Sequence, residues 1–432
     1  MSLESPAPMR LRRATMSAIT LLGGVSLAVI PAATVSIASR LFTTAEQGVI
    51  AVTVTVATFA GQLAFAVIVE SRLSSAGTER RVVFPLWLAA ASVVAGVAVI
   101  ATGPNVVSLC IGLPVLVAAL EVGRGVSVAE RLDRREIWAS ILVGAGALVG
   151  VLAGFAGQDW ALAPLVVGIV AATVVRCLPV EHRASRPERR VMGWVVADTA
   201  ITGAVYPLLN SMILAFLGPN EAVLFAAIST VSGLLAIPLN FMRLRLLKEH
   251  SGLDIVVSAG AVVAAIAALL VAEQLGLFGF LFGEAWTTSA TLLPLLVACA
   301  WRAASLATTI PFAALRRRGE VRLVTGLRAL VSAITFALAG LALATGSLAA
   351  VFAGLLVAEL ISAVVYEAAR RRRVAAERVA AEQVAAEQSG AEQSAAEQSA
   401  AKAGADAAAP AGTEAAGSAR HARDERPDGG TP

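Results

Sequence analysis

Apolar residues fall along this chain in long, nearly continuous runs, each closed by a short polar break. A helix rises about 1.5 Å per residue, so crossing a hydrocarbon core of about 30 Å takes roughly 20 residues. Runs of that length predict helices over 16–38, 47–69, 82–103, 106–123, 137–156 and 160–178. After a basic loop they resume over 194–217, 221–241, 253–272, 287–310, 321–344 and 347–366. Glu121 and Arg124 interrupt the apolar core of the fourth run and place its end near residue 123. The pattern predicts an all-α integral membrane protein with about twelve transmembrane helices.

Basic residues orient the spans, because Lys and Arg collect in cytoplasmic loops. Here they collect in alternate loops: Arg72, Arg80 and Arg81; Arg124, Arg131, Arg134 and Arg135; Arg183, Arg186, Arg189 and Arg190; Arg243, Arg245 and Lys248; Arg316, Arg317 and Arg318; and Arg370 to Arg373. The intervening loops carry none apart from Arg40. A missed span would invert every later loop, so the agreement expects an even number of spans with both termini in the cytoplasm. The expected location is the cell inner (plasma) membrane. Arg10, Arg12 and Arg13 ahead of the first run imitate a signal peptide. That run continues to about Ala38, longer than the roughly 7–15 apolar residues of such a leader, so it is expected to stay as a span.

Composition adds exclusions. Hydrophobic residues make up 57% of the 432 and charged residues 15%, whereas about a quarter of a soluble globule is charged. The net charge of +4 sits at helix ends, where anionic headgroups meet it, and predicts no nucleic-acid partner. Cys110, Cys177 and Cys299 are isolated within apolar stretches, and His182, His250 and His421 fall in polar loops or the tail. Neither set has ligand spacing, so no metal and no cofactor is expected.

A weak internal repeat divides the helices. Ala45-Glu46-Gln47-Gly48-Val49-Ile50 opens the second span and Pro219-Asn220-Glu221-Ala222-Val223-Leu224 opens the eighth. Each follows a span with a proline past its midpoint, Pro31 and Pro207. Two parallel six-helix lobes would produce this, although hydrophobic hairpins also resemble one another by chance. The expected organisation is a cytoplasmic N-terminus (1–15), an N-terminal lobe (16–180), a basic cytoplasmic loop (181–193), a C-terminal lobe (194–366) and a cytoplasmic tail (367–432). Within the tail, residues 375–399 repeat a five-residue unit, AAERV, AAEQV, AAEQS, GAEQS, AAEQS. Ala, Glu and Gln favour helix, but each unit advances about 500° and fixes no face. No packed coiled coil is expected, and the mixture from Lys402 onward reads as disordered.

Two segments carry a family resemblance. Ala38-Ser39-Arg40-Leu41-Phe42-Thr43-Thr44-Ala45-Glu46-Gln47-Gly48 resembles the turn between the first two helices of the polysaccharide/oligosaccharide flippases. These belong to the multidrug/oligosaccharidyl-lipid/polysaccharide (MOP) exporter superfamily. Leu281-Phe282-Gly283-Glu284-Ala285-Trp286, leading into Thr291-Leu292-Leu293-Pro294-Leu295-Leu296, is similar to the element before that family's tenth helix and the run after it. Trp286 stands where the family commonly has a smaller aromatic, and the Ala-rich tail has no counterpart. The resemblance implies two-lobed alternating access and a polyprenyl-diphosphate-linked glycan as cargo. It also implies membrane lipids, and a polysaccharide polymerase or glycosyltransferases, as partners.

Ionisable groups inside spans are expensive and therefore functional candidates. Arg302, in the middle of the tenth span, is the first candidate for holding a diphosphate through forked hydrogen bonds, with Arg328 second. Pairing with a carboxylate on another helix is the alternative for both. Asp198 is a candidate for ion coupling, unless it merely complements a helix N-terminus; Glu359 is another, able to pair with Arg302 or Arg328. Gln62 and Asn210 offer neutral hydrogen-bonding groups toward a cavity or a neighbouring helix. Pro31, Pro207, Pro238 and Pro294 bend helices, as prolines do.

Other readings stay open. A drug or metabolite exporter of similar architecture is one; the loop Glu70-Ser71-Arg72-Leu73-Ser74-Ser75-Ala76-Gly77 lacks the Gly-Asp-Arg-Gly-Arg pattern of major-facilitator proteins. A non-transporting scaffold is another, given the tail. Enzymatic activity is disfavoured because the longest outer loop, 273–286, offers only Glu273 and Glu284.

Overall fold

The computed structural model of the chain describes residues 26–73, 82–177, 188–235, 252–283, 285–317 and 321–407. The chain is an all-α integral membrane protein, with no strand among the described residues. In order, the helices are α1 (Ser26–Leu41), α2 (Thr44–Leu73), α3 (Leu86–Thr102), α4 (Val106–Ala129), α5 (Asp133–Phe155), α6 (Leu162–Cys177) and α7 (Arg189–Phe216). They continue as α8 (Pro219–Gly233), α9 (Gly252–Gln274), the short α10 (Leu277–Phe282), α11 (Thr288–Arg317), α12 (Val321–Leu343) and α13 (Leu348–Ala407). Every predicted span carries one of these helices. Seven are long and apolar enough to cross a membrane by length and composition; α1, α3, α6 and part of α9 are shorter apolar helices. Residues 1–25, most of the basic loop 181–193, Pro238, the loop holding Arg243, Arg245 and Lys248, Arg80, Arg81, Glu284 and all three histidines lie outside the described residues.

The chain divides into two compact units, Met1–Arg370 and Arg371–Pro432. In the second unit, the repeat lies within the helix that ends at Ala407, and its described side chains are nearly all exposed. That agrees with a composition that favours helix and a five-residue period that gathers no apolar stripe.

One boundary differs from the expectation. α4 does not end near residue 123 but continues to Ala129 with Glu121 and Arg124 inside it. Arg124 is tolerated there because Glu136 of α5 lies 3.9 Å from it, and Glu121 because it lines a cavity, as described below.

Small residues set the closest packing of the first unit. On α5, Gly146, Gly150 and Gly154 recur every fourth residue and so share one face. A Cβ on Gly146 would stand 2.5 Å from the Pro164 carbonyl oxygen, and one on Gly150 would stand 2.7 Å from that of Ala161. Facing them on α6, a Cβ on Gly168 would meet the Leu142 carbonyl oxygen at 2.7 Å. Without a hydrophobic force between helices in lipid, such backbone proximity supplies the van der Waals attraction that joins them.

α2 occupies the centre, packing against α4, α7 and α8. Its Gly48 lies against α8, where an added Cβ would stand 2.9 Å from the Pro219 Cα; these are the two segments paired by the sequence repeat. Thr43 caps α2 in a reciprocal box with Glu46, whose carboxylate accepts from the Thr43 backbone N–H at 2.9 Å. Gly218 makes the preceding turn into α8 at φ 107°, a conformation that favours glycine. Both central helices are irregular. α2 widens into a π-helical turn at Ala66–Glu70, and α7 is interrupted at Ala204, between Arg189–Gly203 and Val205–Phe216. Pro207 follows that interruption and has no N–H to give the Gly203 carbonyl.

Candidate functional site

The middle of the C-terminal spans assembles an arginine among aromatic rings. Arg302 projects from α11 with its guanidinium carbon 4.1 Å from the centre of the Trp301 ring and 5.7 Å from that of Tyr206 on α7. Trp301 is buried and sits 5.9 Å from Tyr206 and 6.4 Å from Phe352, centre to centre. Phe352 stacks on Phe225 of α8 at 5.2 Å. The ring faces carry negative charge, so they hold a guanidinium without neutralising it. Arg302 Nε is buried with no hydrogen-bond partner, and no carboxylate forms an ion pair with Arg302 among the described residues. On α13, Glu359 meets the same helix further along: its backbone carbonyl accepts from the Thr308 hydroxyl of α11 at 3.4 Å.

Arg328 and Asp198 share one contact. Arg328 Nη1 donates to Asp198 Oδ2, and both side chains are largely buried between α12 and α7. The guanidinium also lies 4.6 Å from the Phe312 ring, which meets Tyr366 edge-on at 5.9 Å. α7 begins at Arg189, not near 194, so Asp198 stands well beyond the first turn and the helix N-terminus does not account for it. Arg328 does.

The two neutral candidates separate. Gln62 is exposed on α2, and its Oε1 lies 3.0 Å from where a Cβ on Gly203 would be, beside the interruption of α7. Asn210 is fully buried in α7, with neither amide atom hydrogen-bonded.

A second polar centre, which the sequence reading passed over, joins α4, α5 and α6. Arg176 is fully buried and forks onto Glu136, donating from Nε to Oε2 at 3.0 Å and from Nη2 to Oε1 at 2.7 Å. Its Nη1 reaches the Leu120 carbonyl at 3.4 Å, and Arg124 Nε lies 3.9 Å from Glu136 Oε1. Glu121, on the next turn of α4, lines a cavity of about 200 Å³ with Leu27, Ile30, Pro31, Thr34 and Thr58. Pro31 cannot donate to the Leu27 carbonyl in that wall. Glu121 is the one charged residue lining the cavity, and none of the described residues hydrogen-bonds it. The available signal was Arg176 itself, a charge within the last turn of an apolar run.

Among the described residues no group of three or more His, Cys, Asp or Glu side chains is placed to hold a metal ion.

Neither a protein-family model nor a curated protein matches the sequence. Solved structures do resemble the fold. One is a multidrug resistance MATE family transporter of the MOP superfamily in an outward-facing conformation, 15% identical, with a TM-score of 0.52 over 84% of this chain and 95% of that one. Another is a point mutant of a MATE protein, 14% identical, with a TM-score of 0.50 over 84% of this chain and 95% of that one. At such identities the likeness is one of fold.

Proposed function

We propose that this chain is a membrane transporter that works by alternating access and flips a polyprenyl-diphosphate-linked glycan across the inner membrane for cell-surface polysaccharide export. The single observation that carries the cargo is Arg302. A cationic fork held on aromatic faces, with no carboxylate paired to it, suits a diphosphate, which accepts two parallel N–H bonds. The lipid tail would stay in the bilayer while the headgroup crosses, so no covalent step is needed. Support for alternating access comes from the fold likeness and from the irregular α2 and α7 at the centre.

Arg328 is the secondary phosphate contact, available when Asp198 lets go. Asp198 and Glu359 are the candidates for ion coupling, and the uncommitted Glu121 joins them. Gln62 supplies a hydrogen-bonding group at the α7 interruption; Asn210 is a candidate donor and acceptor reached when α7 shifts. A polysaccharide polymerase or glycosyltransferases are the expected partners, with both termini cytoplasmic.

A second reading is favoured by one observation, the likeness to a multidrug resistance transporter. A drug exporter would use Trp301 and Tyr206 as a stacking surface, with Glu359 receiving a cationic drug. Complementation separates the two. Surface polysaccharide restored by the wild type and lost with Arg302→Ala supports the glycan. Unchanged polysaccharide together with drug resistance lost in Glu359→Gln supports the exporter.

A further inference from the structure

The two segments that carry the family resemblance lie more than two hundred residues apart and touch in the structure. From α1, the Ser36 hydroxyl donates to the Leu281 carbonyl at 2.7 Å, and Arg40 Nη2 donates to the Phe280 carbonyl at 2.6 Å. Ser36 and Arg40 are four residues apart, on one face of the helix. Both acceptors lie in the last turn of α10, where carbonyls have no donor within their own helix. The Arg40 guanidinium also covers the Phe155 ring at 4.7 Å, and Phe155 stacks on Phe280 at 4.3 Å with ring planes 11° apart. Gly283, at φ 78°, faces Ser39 so closely that a Cβ there would stand 3.4 Å from the Ser39 Cβ.

We infer that this contact is a latch at the arginine-poor end of the bundle, and that opening toward that side requires Arg40 to release α10. The two sides differ in how they are anchored. α10 lies between segments braced by a buried carboxylate: Glu273 of α9 accepts from Trp286 Nε1 at 2.8 Å and from the Thr291 hydroxyl of α11 at 3.0 Å. Phe278, Phe282 and Trp286 cluster over that brace. On the other side, α1 and α5 hold Arg40 and Phe155. The seam between them consists of two side-chain donors, one ring stack and a glycine. Arg40 is exposed, so water replaces its hydrogen bond when the seam parts, and the buried Ser36 hydroxyl can turn to the carbonyl one turn back in its own helix. The Glu273 brace lacks that property, which makes the Arg40 seam the place to separate. This inference rests on the transport reading only for its consequence, not for the contact.

The test uses the full chain with Cys110, Cys177 and Cys299 replaced by serine. Ser39→Cys with Gly283→Cys puts two Cβ atoms near the disulfide range of about 3.5–4.5 Å. Oxidation should cross-link them rapidly, and adding Arg40→Ala should slow cross-linking about tenfold, the factor that loss of a charge-assisted hydrogen bond supplies. Equal rates with and without Arg40 overturn the latch. Because a side chain at Gly283 is strained, amide hydrogen exchange of the Arg40→Ala protein without added cysteines is the companion measurement. Residues 277–283 should exchange about tenfold faster, and unchanged protection overturns the latch. Transport arrested by the cross-link and restored by reductant is the expected functional result; transport that proceeds with the cross-link in place overturns the latch. If the Arg40-dependent cross-linking appears but neither glycan nor drug moves, the transport reading fails while the latch stands.

Discussion

Arg176 and Glu136 meet fork to fork inside the first unit, at 2.7 and 3.0 Å, with 0% and 2% of their side chains exposed. Breaking such a pair from one side leaves a buried charge with no partner, which costs far more than the pair itself contributes. Arg176→Ala and Glu136→Ala should each lower stability by about 3–5 kcal/mol. The double change Arg176→Met with Glu136→Leu should cost much less than their sum. Thermal unfolding of the purified protein in detergent checks this, and an additive double mutant would sink the idea.

Arg302 should behave as a cargo contact and not as a packing residue. Arg302→Ala should leave the amount of folded protein near wild type and weaken transport about thirtyfold, equivalent to about 2 kcal/mol for a lost charged hydrogen bond. Arg302→Lys keeps the charge but neither the fork nor the planar stack, and should fall between. Transport rates normalised to membrane content decide it. Equal activity of the three proteins would remove Arg302 from the site.

Asp198 and Arg328 should be coupled energetically. Asp198→Asn leaves Arg328 partly buried without its carboxylate, so the amount of folded protein should drop. Asp198→Asn with Arg328→Gln should recover it, with an interaction energy of about 1–3 kcal/mol in a double-mutant cycle. Independent effects would mean the contact carries no weight.

Gly146 and Gly144 form an internal control on α5. A Cβ at Gly146 collides with the Pro164 carbonyl, whereas one at Gly144 meets nothing within 4 Å. Gly146→Val should destabilise by about 1–3 kcal/mol or more, as overpacking does, while Gly144→Val should be nearly neutral. Comparable melting temperatures for the two variants would contradict the close α5–α6 approach.

Deleting residues 374–432 should leave transport and thermal stability unchanged, since the described side chains of the tail are nearly all exposed. Under the scaffold reading the same deletion should instead abolish the protein's function at normal protein levels.

The spans were readable in the sequence because their length follows from the thickness of a bilayer, and each predicted run holds a helix among the described residues. Which helix faces which was not readable. α8 buries residues on every side, Ala222 through Ile228 in succession, so no periodic face announces its neighbours. The end of α4 was misplaced for a related reason: Glu121 and Arg124 look like a boundary until Glu136 and Arg176 are brought beside them. The ionisable candidates stood out in the sequence as charges inside apolar runs, but only the packing showed that Arg328 and Asp198 answer each other while Arg302 faces rings. The glycine face of α5 was visible as a spacing, yet its meaning depends on Pro164, Ala161 and Gly168 across a helix turn.

The five-residue unit makes the length of the tail separable from its packing. Gaining or losing one unit changes the helix by about 7.5 Å and turns everything after it by about 140°. In a helix with a buried stripe that rotation would throw the stripe off its partner. Here there is no stripe to misalign, so one unit more or fewer yields a longer or shorter helix of unchanged character. The length of this segment can therefore change by whole units without disturbing a packed contact of its described residues.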